Sequence, residues 1–412
     1  MPSGPEGPGY GGGAAVTGVG AVTPLGVGAG VLYERSVAGA RGIGEDGFGR
    51  CADFRADAHL SRQLMRRTDR FTQLALVAAA EALAQAGWRA DAPPYPPHRI
   101  ACVIGCGLGG TASFEAGSAV FAHEGAEHVS PLMVPQMMAN AAASQLSILY
   151  GFEGEALCVA SACSSGAQAV GAGLRLLAAG EADAVVVGGA EASTSDLVAS
   201  AFGTAGALSP TGTSRPFDRD RDGFVIGEGA GVLVLERPEG AARRGAEVLG
   251  GVLGYGATAD AHHITAPAPG AEAAGRAVTL ALRRAGAAPR ELAYINAHGT
   301  GTARGDRLEC AALRAALGEG VLAGTPVSSS KGALGHLFGA AGAVEAIVTL
   351  LALRHGTAPP TVGLGVPDPG LGGVDLVRSG ARAMRGGVVR LGLSTSFGFG
   401  GHNAALLLKG LG

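Results

Sequence analysis

The chain has 412 residues and a formal net charge of −3. This near balance of charge excludes the strongly basic surface that is typical of a nucleic-acid-binding or membrane-surface protein. Hydrophobic residues make up 47% of the chain, so it is too apolar to be disordered and long enough to bury a large core. The cysteines show no spacing typical of a disulfide framework or a zinc site; they are Cys51, Cys102, Cys106, Cys158, Cys163 and Cys310.

Residues 1–13 are rich in Gly and Pro and have neither the basic nor the continuous apolar region of a signal peptide, so we predict a disordered tail. No run of about 18 apolar residues is free of charged residues, Gly or Pro. Together with the cysteine pattern, these features predict a cytoplasmic protein that binds neither nucleic acid nor membrane.

Short β-rich runs alternate with helical stretches from residue 14 onward. In the first part we predict strands at AAVTGVGAVT, RIACVIGCG, ADAVVVGGAEA and GAGVLVLERP, and a helix over 70–88 that ends near Gly87. The same succession then starts again, with helices predicted over 271–286 and 306–317 and strands around them. This alternation predicts an α/β architecture with mainly buried sheets.

One local pattern occurs twice along the chain. Phe224 and Gly227 precede the apolar run GVLVLE, and Phe397 and Gly400 precede the run AALLLK. Each time a glycine-rich turn leads into a short strand, which indicates two related halves, although two such turns can also coincide by chance.

Cys163 lies among the smallest side chains in the sequence. The stretch ALCVASACSSGAQAVGAGLRLLAAG predicts a strand, a sharp turn and a helix over about 164–179. At a helix N-terminus we expect the pKa of Cys163 to fall below its free value of ~8.5. The arrangement is typical of an exposed nucleophile at a strand-to-helix turn, with a buried structural thiol as the alternative.

Two histidines occupy similar junctions. His298 follows a predicted strand in NAHGTGT, and His336 opens a small-residue helix in KGALGHLFGAAGAVEA, with Lys331 just before it. Three such junctions, each with a reactive side chain, are hard to explain by packing alone. We therefore predict that they meet in one site.

The motifs ACSSG, NAHGTGT, KGALGHLFGAAGAVEA and SFGFGGHN, in that order, resemble the β-ketoacyl synthases, the condensing enzymes of fatty acid and polyketide assembly. The resemblance runs from about residue 14 to the C-terminus and looks like the elongating, acyl-carrier-protein-dependent type II class. It implies the thiolase fold, an α/β fold in which two similar halves form a five-layer αβαβα sandwich, usually as a homodimer. The N-terminal half, 14–240, would carry Cys163, and the C-terminal half, 241–412, would carry His298, Lys331 and His336.

The resemblance also implies roles for individual residues. Cys163 would accept the acyl chain as a thioester, and His298 and His336 would stabilise the enolate formed when a malonyl-thioester loses CO₂. Further roles would fall to Lys331 supported by Glu345, to the backbone N–H groups of Cys163 and Phe399 as an oxyanion hole, and to Thr300 and Thr302 at the phosphopantetheine arm. No metal or other cofactor is expected, because decarboxylation supplies the driving force.

The acyl pocket and the docking surface follow from the same resemblance. Leu108, Phe202 and Phe399 would line the pocket, with Leu132 and Met133 reaching across from a partner subunit. The acidic carrier protein would bind a basic stretch, SRQLMRRTDRF, in which Arg66 and Arg67 align with docking positions, although a solvated helix face would look similar.

Close relatives are separated by the same residues. Thiolases carry a second cysteine where this chain has SFGFGGHN, and the initiating synthases have Asn in place of His336. Three hypotheses remain: a self-sufficient homodimeric synthase, a ketosynthase subunit of a type II polyketide system paired with a chain-length factor, and a non-catalytic partner subunit. Aromatic-polyketide ketosynthases usually read GCTSG at the nucleophile, which argues against an aromatic system and leaves a reducing polyketide system open. The intact motifs argue against the third hypothesis.

Overall fold

The structure is a computed structural model that describes residues 13–89 and 92–412, so the predicted tail, 1–13, lies outside the described residues except for Gly13. The strands are β1 (Ala14–Thr23), β2 (Gly26–Val27), β3 (Ile100–Gly105), β4 (Ala156–Val159), β5 (Ala184–Glu191), β6 (Gly229–Glu236), β7 (Gly250–Ala259), β8 (Leu292–Asn296), β9 (Val327–Ser328), β10 (Thr357–Ala358), β11 (Arg382–Ala383), β12 (Val389–Gly398) and β13 (His402–Leu411). The helices are α1 (Ala29–Val37), α2 (Arg62–Arg67), α3 (Arg70–Gln85), α4 (Thr111–Glu124), α5 (Met133–Met137), α6 (Ala141–Tyr150), α7 (Ser165–Ala179), α8 (Asp196–Thr204), α9 (Pro238–Arg243), α10 (Glu272–Ala285), α11 (Ala303–Leu317), α12 (Glu319–Leu322), α13 (Lys331–Leu334) and α14 (Ala341–His355).

Two five-stranded runs, β4-β3-β5-β6-β1 and β9-β8-β12-β13-β7, form the sheet and meet where β1 pairs with β7. That junction is short, from Ala14 opposite Val252 to Val16 opposite Gly250. In both runs the first three strands are parallel and the last two pairings are antiparallel. The second run therefore repeats the first, which confirms the predicted relation between the two halves.

Helices fill the space between the runs and cover their outer faces. α7 and α14 contact strands of both runs, α3 packs on β1 and β6, and α10 packs on β7 and β13. α14 is buried along nearly its whole length because it is apolar on all sides, as expected for a helix in the centre of a protein. The order α3, first run, α7 with α14, second run, α10 is the predicted five-layer αβαβα sandwich of the thiolase fold.

The outer helices approach the sheet closely because the strands carry glycine. A Cβ atom on Gly20 of β1 would lie 1.9 Å from the carbonyl oxygen of Ala78 in α3. A Cβ atom on Gly256 of β7 would lie 2.0 Å from the carbonyl oxygen of Ala277 in α10. Both halves therefore use the same glycine contact, which accounts for part of the high Gly and Ala content.

Element boundaries differ in places from the sequence-based expectations. α11 begins at Ala303 rather than 306, and the expected division between residues 240 and 241 falls inside α9. In the described part of the chain, one helical segment, Phe338–His355, is long and apolar enough to cross a membrane by length and composition, but 89% of it is buried inside the protein. That burial is typical of a core helix.

Candidate active site

Cys163 lies in a sharp turn between a strand and a helix. β4 leads to a 3-10 turn over Ala162–Ser164, and α7 begins at Ser165. Ala162 has a φ of 52°, a left-handed conformation that is uncommon for a residue with a side chain and concentrates at functional sites. Ser165 Oγ donates a hydrogen bond to the carbonyl oxygen of Ala162 at 2.6 Å and stabilises the turn. The predicted strand, turn and helix are all present.

The surroundings of the Cys163 sulfur oppose its ionisation. Burial raises the pKa of the thiol to about 11, while the N–H of Phe399, the charge of Lys331 and the N–H of Cys163 itself act in the opposite direction. The expectation that the pKa falls below its ordinary value is therefore wrong, because desolvation outweighs these three favourable interactions. The two N–H groups near the sulfur belong to the two residues predicted to form the oxyanion hole.

The predicted histidines face each other beside the cysteine turn. The ring centroids of His298 and His336 are 5.4 Å apart, with the planes at 82°. Burial, followed by the charge of Lys331, lowers the pKa of both imidazoles well below the ordinary range, so both are neutral. His298 Nδ1 and both ring nitrogens of His336 have no hydrogen-bond partner among the described residues. Neutral imidazoles with free nitrogens can donate to a developing negative charge.

Two buried carboxylates hold the turn that carries His298. Glu309 Oε1 accepts the backbone N–H of His298 at 2.8 Å, and Glu309 Oε2 accepts the N–H of Gly299 at 2.7 Å. One helical turn earlier, Asp306 Oδ1 accepts the N–H of Gly301 at 3.1 Å. The two acids project from the same face of α11, so one helix fixes the whole turn.

Lys331 and Glu345 form a buried ion pair whose positive charge acts on both histidines. Lys331 Nζ donates to Glu345 Oε1, and the two side chains are 2% exposed. Burial raises the pKa of Glu345 to about 7, although the Lys331 charge acts in the opposite direction. The predicted pairing of these residues is present, and the positive charge helps to keep both imidazoles unprotonated.

These side chains line one cavity of about 270 Å³. Its lining includes the predicted nucleophile and histidines and five further residues predicted at the phosphopantetheine arm or the acyl pocket: Thr300, Thr302, Leu108, Phe202 and Phe399. A Cβ atom on Gly398 would lie 3.1 Å from the backbone nitrogen of Cys163, so the loop before Phe399 packs directly on the cysteine turn. The structure thus brings residues of both halves into one site.

Two predicted pocket residues lie elsewhere within the chain. Leu132 is exposed and Met133 begins α5, where its sulfur lies against Gly117 of α4. Neither lines the cavity of its own subunit. Their contribution from a partner subunit stays a prediction.

The predicted docking residues Arg66 and Arg67 lie on the exposed surface of α2. Arg70, from the same basic stretch, is instead half-buried and pairs with Glu228 at 2.6 Å. The exposed basic surface is therefore smaller than the sequence suggests.

Four residues at the site were missed by the sequence analysis: Asp306, Glu309, Glu191 and Phe338. Glu309 had a usable signal, because it lies three residues after Asp306 on one helical face, and paired acids on a buried face need partners. Phe338 reaches the cavity only through tertiary packing, and Glu191 lies behind the lining, where it accepts the backbone N–H groups of Gly107 and Gly339. In the described ranges, 13–89 and 92–412, no group of three or more His, Cys, Asp or Glu side chains could hold a metal ion.

Comparison with known families identifies the family of the chain. Residues 14–241 match the family described as beta-ketoacyl synthase, N-terminal domain, and residues 249–365 match its C-terminal domain. The chain belongs to the β-ketoacyl synthase family. A 3-oxoacyl-[acyl-carrier-protein] synthase 2 from Synechocystis sp. is 39% identical over 410 residues, which cover 96% of this chain and 97% of that protein. As a member of this family, the chain is a condensing enzyme of the acyltransferase class.

Solved structures agree with this assignment. The ishigamide ketosynthase/chain length factor has a TM-score of 0.89 and 32% identity, covering 97% of this chain and 99% of that one. A type II polyketide ketosynthase, in complex with its acyl-carrier protein and bound to a hexaketide, has a TM-score of 0.87 and 26% identity, covering 97% of this chain and 99% of that one. This β-ketoacyl synthase therefore resembles both fatty acid and polyketide enzymes.

Proposed function

We propose that this protein is a β-ketoacyl-[acyl-carrier-protein] synthase that elongates an acyl chain held on Cys163. The observation that carries the proposal is the single cavity into which Cys163, His298 and His336 all project, with the N–H of Phe399 at the sulfur. Polyketide and fatty acid relatives support the same reaction. The assignment of Cys163, His298, His336 and Lys331 to catalysis belongs to this proposal.

In the first step, the sulfur of Cys163 attacks the thioester carbonyl of an acyl-carrier protein. The new bond joins the acyl carbon to Sγ, the bond to the pantetheine sulfur breaks, and the thiol proton passes to that departing sulfur. The N–H groups of Cys163 and Phe399 bind the oxyanion of the tetrahedral intermediate, and one such donor contributes roughly 3 kcal/mol. Because the resting thiol is protonated, this step depends on those donors.

In the second step, malonyl-carrier protein loses CO₂ and its remaining electron pair forms an enolate. His298 and His336 donate hydrogen bonds to the enolate oxygen, and the enolate carbon attacks the acyl carbonyl. The bond to Sγ breaks, and one proton from solvent restores the thiol. Every atom is supplied by the two substrates and one proton, so the reaction needs no further cofactor.

The carrier protein would approach α2. Arg66 and Arg67 are exposed there, and an acidic partner is attracted to paired arginines. Replacing both with Glu should raise KM for carrier-bound substrates at least tenfold while leaving KM for a small acyl-thioester unchanged. Arg276→Glu, an exposed arginine on α10, is the matched control and should change neither value.

A dimer is supported by an apolar surface at the edge of the first run of strands. β4 lies at the end of the strand order, and Leu157 on it is exposed. Phe114 and Phe121, seven residues apart on α4, and Leu132, just before α5, are also exposed, and α4 packs against α5. Large apolar side chains exposed together are typical of an interaction surface, so a second subunit would pair along β4 and bring Leu132 to the neighbouring cavity. Phe121→Glu should convert the protein to monomers in sedimentation velocity.

A heterodimeric ketosynthase is the second candidate. The ishigamide ketosynthase/chain length factor is similar to this chain in fold, and the same apolar surface would accept a related chain. The two candidates are separated by intact-mass measurements on the purified chain. A lone chain that loads Cys163 from acyl-carrier protein but forms no β-ketoacyl product would favour the heterodimer, and a lone chain that completes condensation would favour the homodimer.

The proposed function is tested by measuring the transfer of an acyl group to Cys163 by intact mass. Incubation with acyl-carrier-protein thioesters should add one acyl mass to the wild-type chain. Cys163→Ala should add none, while Cys158→Ala, the matched control on β4, should load normally. Absence of any adduct on folded wild-type protein would overturn the proposal.

A further inference from the structure

Arg304 is an exposed residue beside the active-site cavity. It is the second residue of α11, and Thr302 just before the helix and Gly305 within it both line the cavity. Farther along the same helix, Glu309 also lines the cavity and accepts the backbone N–H of His298. Glu309 lies about 7.5 Å from Arg304 along the helix axis. The first turns of α11 therefore lead from the histidine turn to the surface, and Arg304 lies at the outer end.

The guanidinium of Arg304 reaches a second segment that lines the cavity. Its Nη2 donates a hydrogen bond to the carbonyl oxygen of Pro267 at 3.0 Å. Pro267 and Thr265 belong to the loop between β7 and α10, and both line the cavity. The side chain of Arg304 is therefore held between two lining segments at the mouth of the cavity instead of extending freely into solvent.

The positive charge of Arg304 has no carboxylate partner among the described residues. Asp306, the nearest acid in the sequence, is buried and pairs with Arg221 at 3.4 Å. Arg307, on the same helix, pairs with Asp368 at 2.8 Å. A guanidinium has five N–H donors, and the bond to the loop uses one of those of Arg304. The other donors make no hydrogen bond within the described part of the chain, so they can bind an anion.

A carrier-bound substrate brings an anion to the mouth of the cavity. Its thioester lies at one end of the phosphopantetheine arm, and a phosphodiester joins the other end of the arm to the carrier protein. When the thioester reaches Cys163, the arm occupies the cavity and the phosphodiester stays outside, where the arm enters. Arginine suits a phosphate group because its planar fork donates to two phosphate oxygens at once. The unpaired Arg304 therefore matches the phosphodiester in both charge and geometry.

We propose that Arg304 binds the phosphodiester of the phosphopantetheine arm while the thioester reaches Cys163. The inference rests on the proposed function and adds a substrate-binding residue to it. The bond to Pro267 holds the guanidinium at the mouth, and the remaining N–H donors bind the phosphate oxygens. This contact is distinct from docking of the carrier protein on Arg66 and Arg67, because a free phosphopantetheine thioester would make it as well.

The test compares two small substrates that differ only in the phosphate group. Octanoyl-phosphopantetheine and octanoyl-pantetheine are each incubated with the purified chain, and acylation of Cys163 is followed by intact mass. The measured quantity is the ratio of the two second-order rate constants for loading, phosphorylated over unphosphorylated. In the wild type this ratio should be at least about tenfold, the effect of one charge-assisted hydrogen bond, and it should fall as salt is added.

Substitutions of Arg304 should change this ratio in a graded way. Arg304→Gln should lower the ratio about tenfold and remove its dependence on salt. Arg304→Lys keeps the positive charge but loses the planar fork, so its ratio should be intermediate. Arg276→Gln, which replaces an exposed arginine on α10, is the matched control and should keep the wild-type ratio. Because Arg304 is exposed, these variants should fold, and loading from octanoyl-pantetheine verifies that each one is active.

The possible results separate this inference from the proposed function. If folded wild-type protein loads from neither acyl-carrier protein nor the small thioesters, the proposed function is wrong. If it loads from acyl-carrier protein but shows no preference for the phosphorylated small thioester, or if Arg304→Gln keeps the wild-type ratio, the inference about Arg304 is overturned. A loss in Arg304→Gln that appears only with intact acyl-carrier protein would also overturn it, because Arg304 would then contact acidic side chains of the carrier instead of the phosphate.

Discussion

Replacing Lys331 with Met should strongly destabilise the protein, because it leaves the buried carboxylate of Glu345 without its ion-pair partner. Lys331 and Glu345 are 1% and 2% exposed, Lys331 donates to Glu345 Oε1, and Glu345 Oε2 has no hydrogen-bond partner among the described residues. Breaking a buried ion pair from one side costs about 3–5 kcal/mol, whereas replacing both partners with apolar residues is often close to neutral. Lys331→Met should therefore cost about 3–5 kcal/mol, and Lys331→Met with Glu345→Met should recover most of that loss.

The stability lost in Lys331→Met should also increase as pH rises. Without the Lys331 charge, the pKa of Glu345 rises further above its unfolded value, because the group that lowers it is gone. A raised folded pKa gives stability that is present below the unfolded pKa and is lost as pH rises through the folded pKa. The cost of Lys331→Met should therefore grow by up to about 1.4 kcal/mol per pH unit between about pH 7 and pH 8, where Glu345 is ionised in the wild type but still protonated in the variant.

The measurement compares the urea-unfolding midpoints of four proteins at about pH 7 and about pH 8. They are the wild type, Lys331→Met, Glu345→Met and the double variant. Stability of Lys331→Met within about 1 kcal/mol of wild type would refute the argument, because a median surface pair is worth that much. Equal losses for the single and double variants would refute it as well.

Two further predictions concern the histidine pair. Because burial lowers the pKa of His298 and His336, the unfolded chain binds protons below about pH 6.5 and the folded chain does not, so stability is lost as pH falls. His298→Ala with His336→Ala should flatten that decline by up to about 2.7 kcal/mol per pH unit in urea titrations, and an unchanged slope would contradict the assignment. Glu309→Gln should lower the rate of condensation at least tenfold but change Cys163 loading less than threefold, because Glu309 fixes the His298 turn and not the sulfur; equal losses in both steps would argue for a general structural defect.

Much of the site could be predicted because its reactive residues sit at junctions that local sequence encodes. Cys163 is surrounded by Ala, Ser and Gly, which permit the turn, and the helix that follows it begins one residue from the expected position. The two-half organisation was also visible, because the glycine-rich turns before β6 and β13 repeat in sequence.

The parts that escaped prediction depend on segments far apart in the chain. The pKa of Cys163 rises to about 11 because folding desolvates the sulfur, an effect that no local pattern encodes. Arg70 belongs to a basic run in sequence but pairs with Glu228, 158 residues away. Glu191 accepts N–H groups from segments 84 and 148 residues distant, so its role emerges only after folding.

The measurement that tests the central claim most directly is condensation by the purified chain. The acyl thioester and the malonyl thioester of the carrier protein are supplied together, and the carrier-bound product is followed by mass spectrometry. We predict a β-ketoacyl product two carbons longer than the acyl substrate, formed with release of CO₂ and abolished by Cys163→Ala. Folded wild-type protein that neither loads Cys163 nor forms this product would contradict the account.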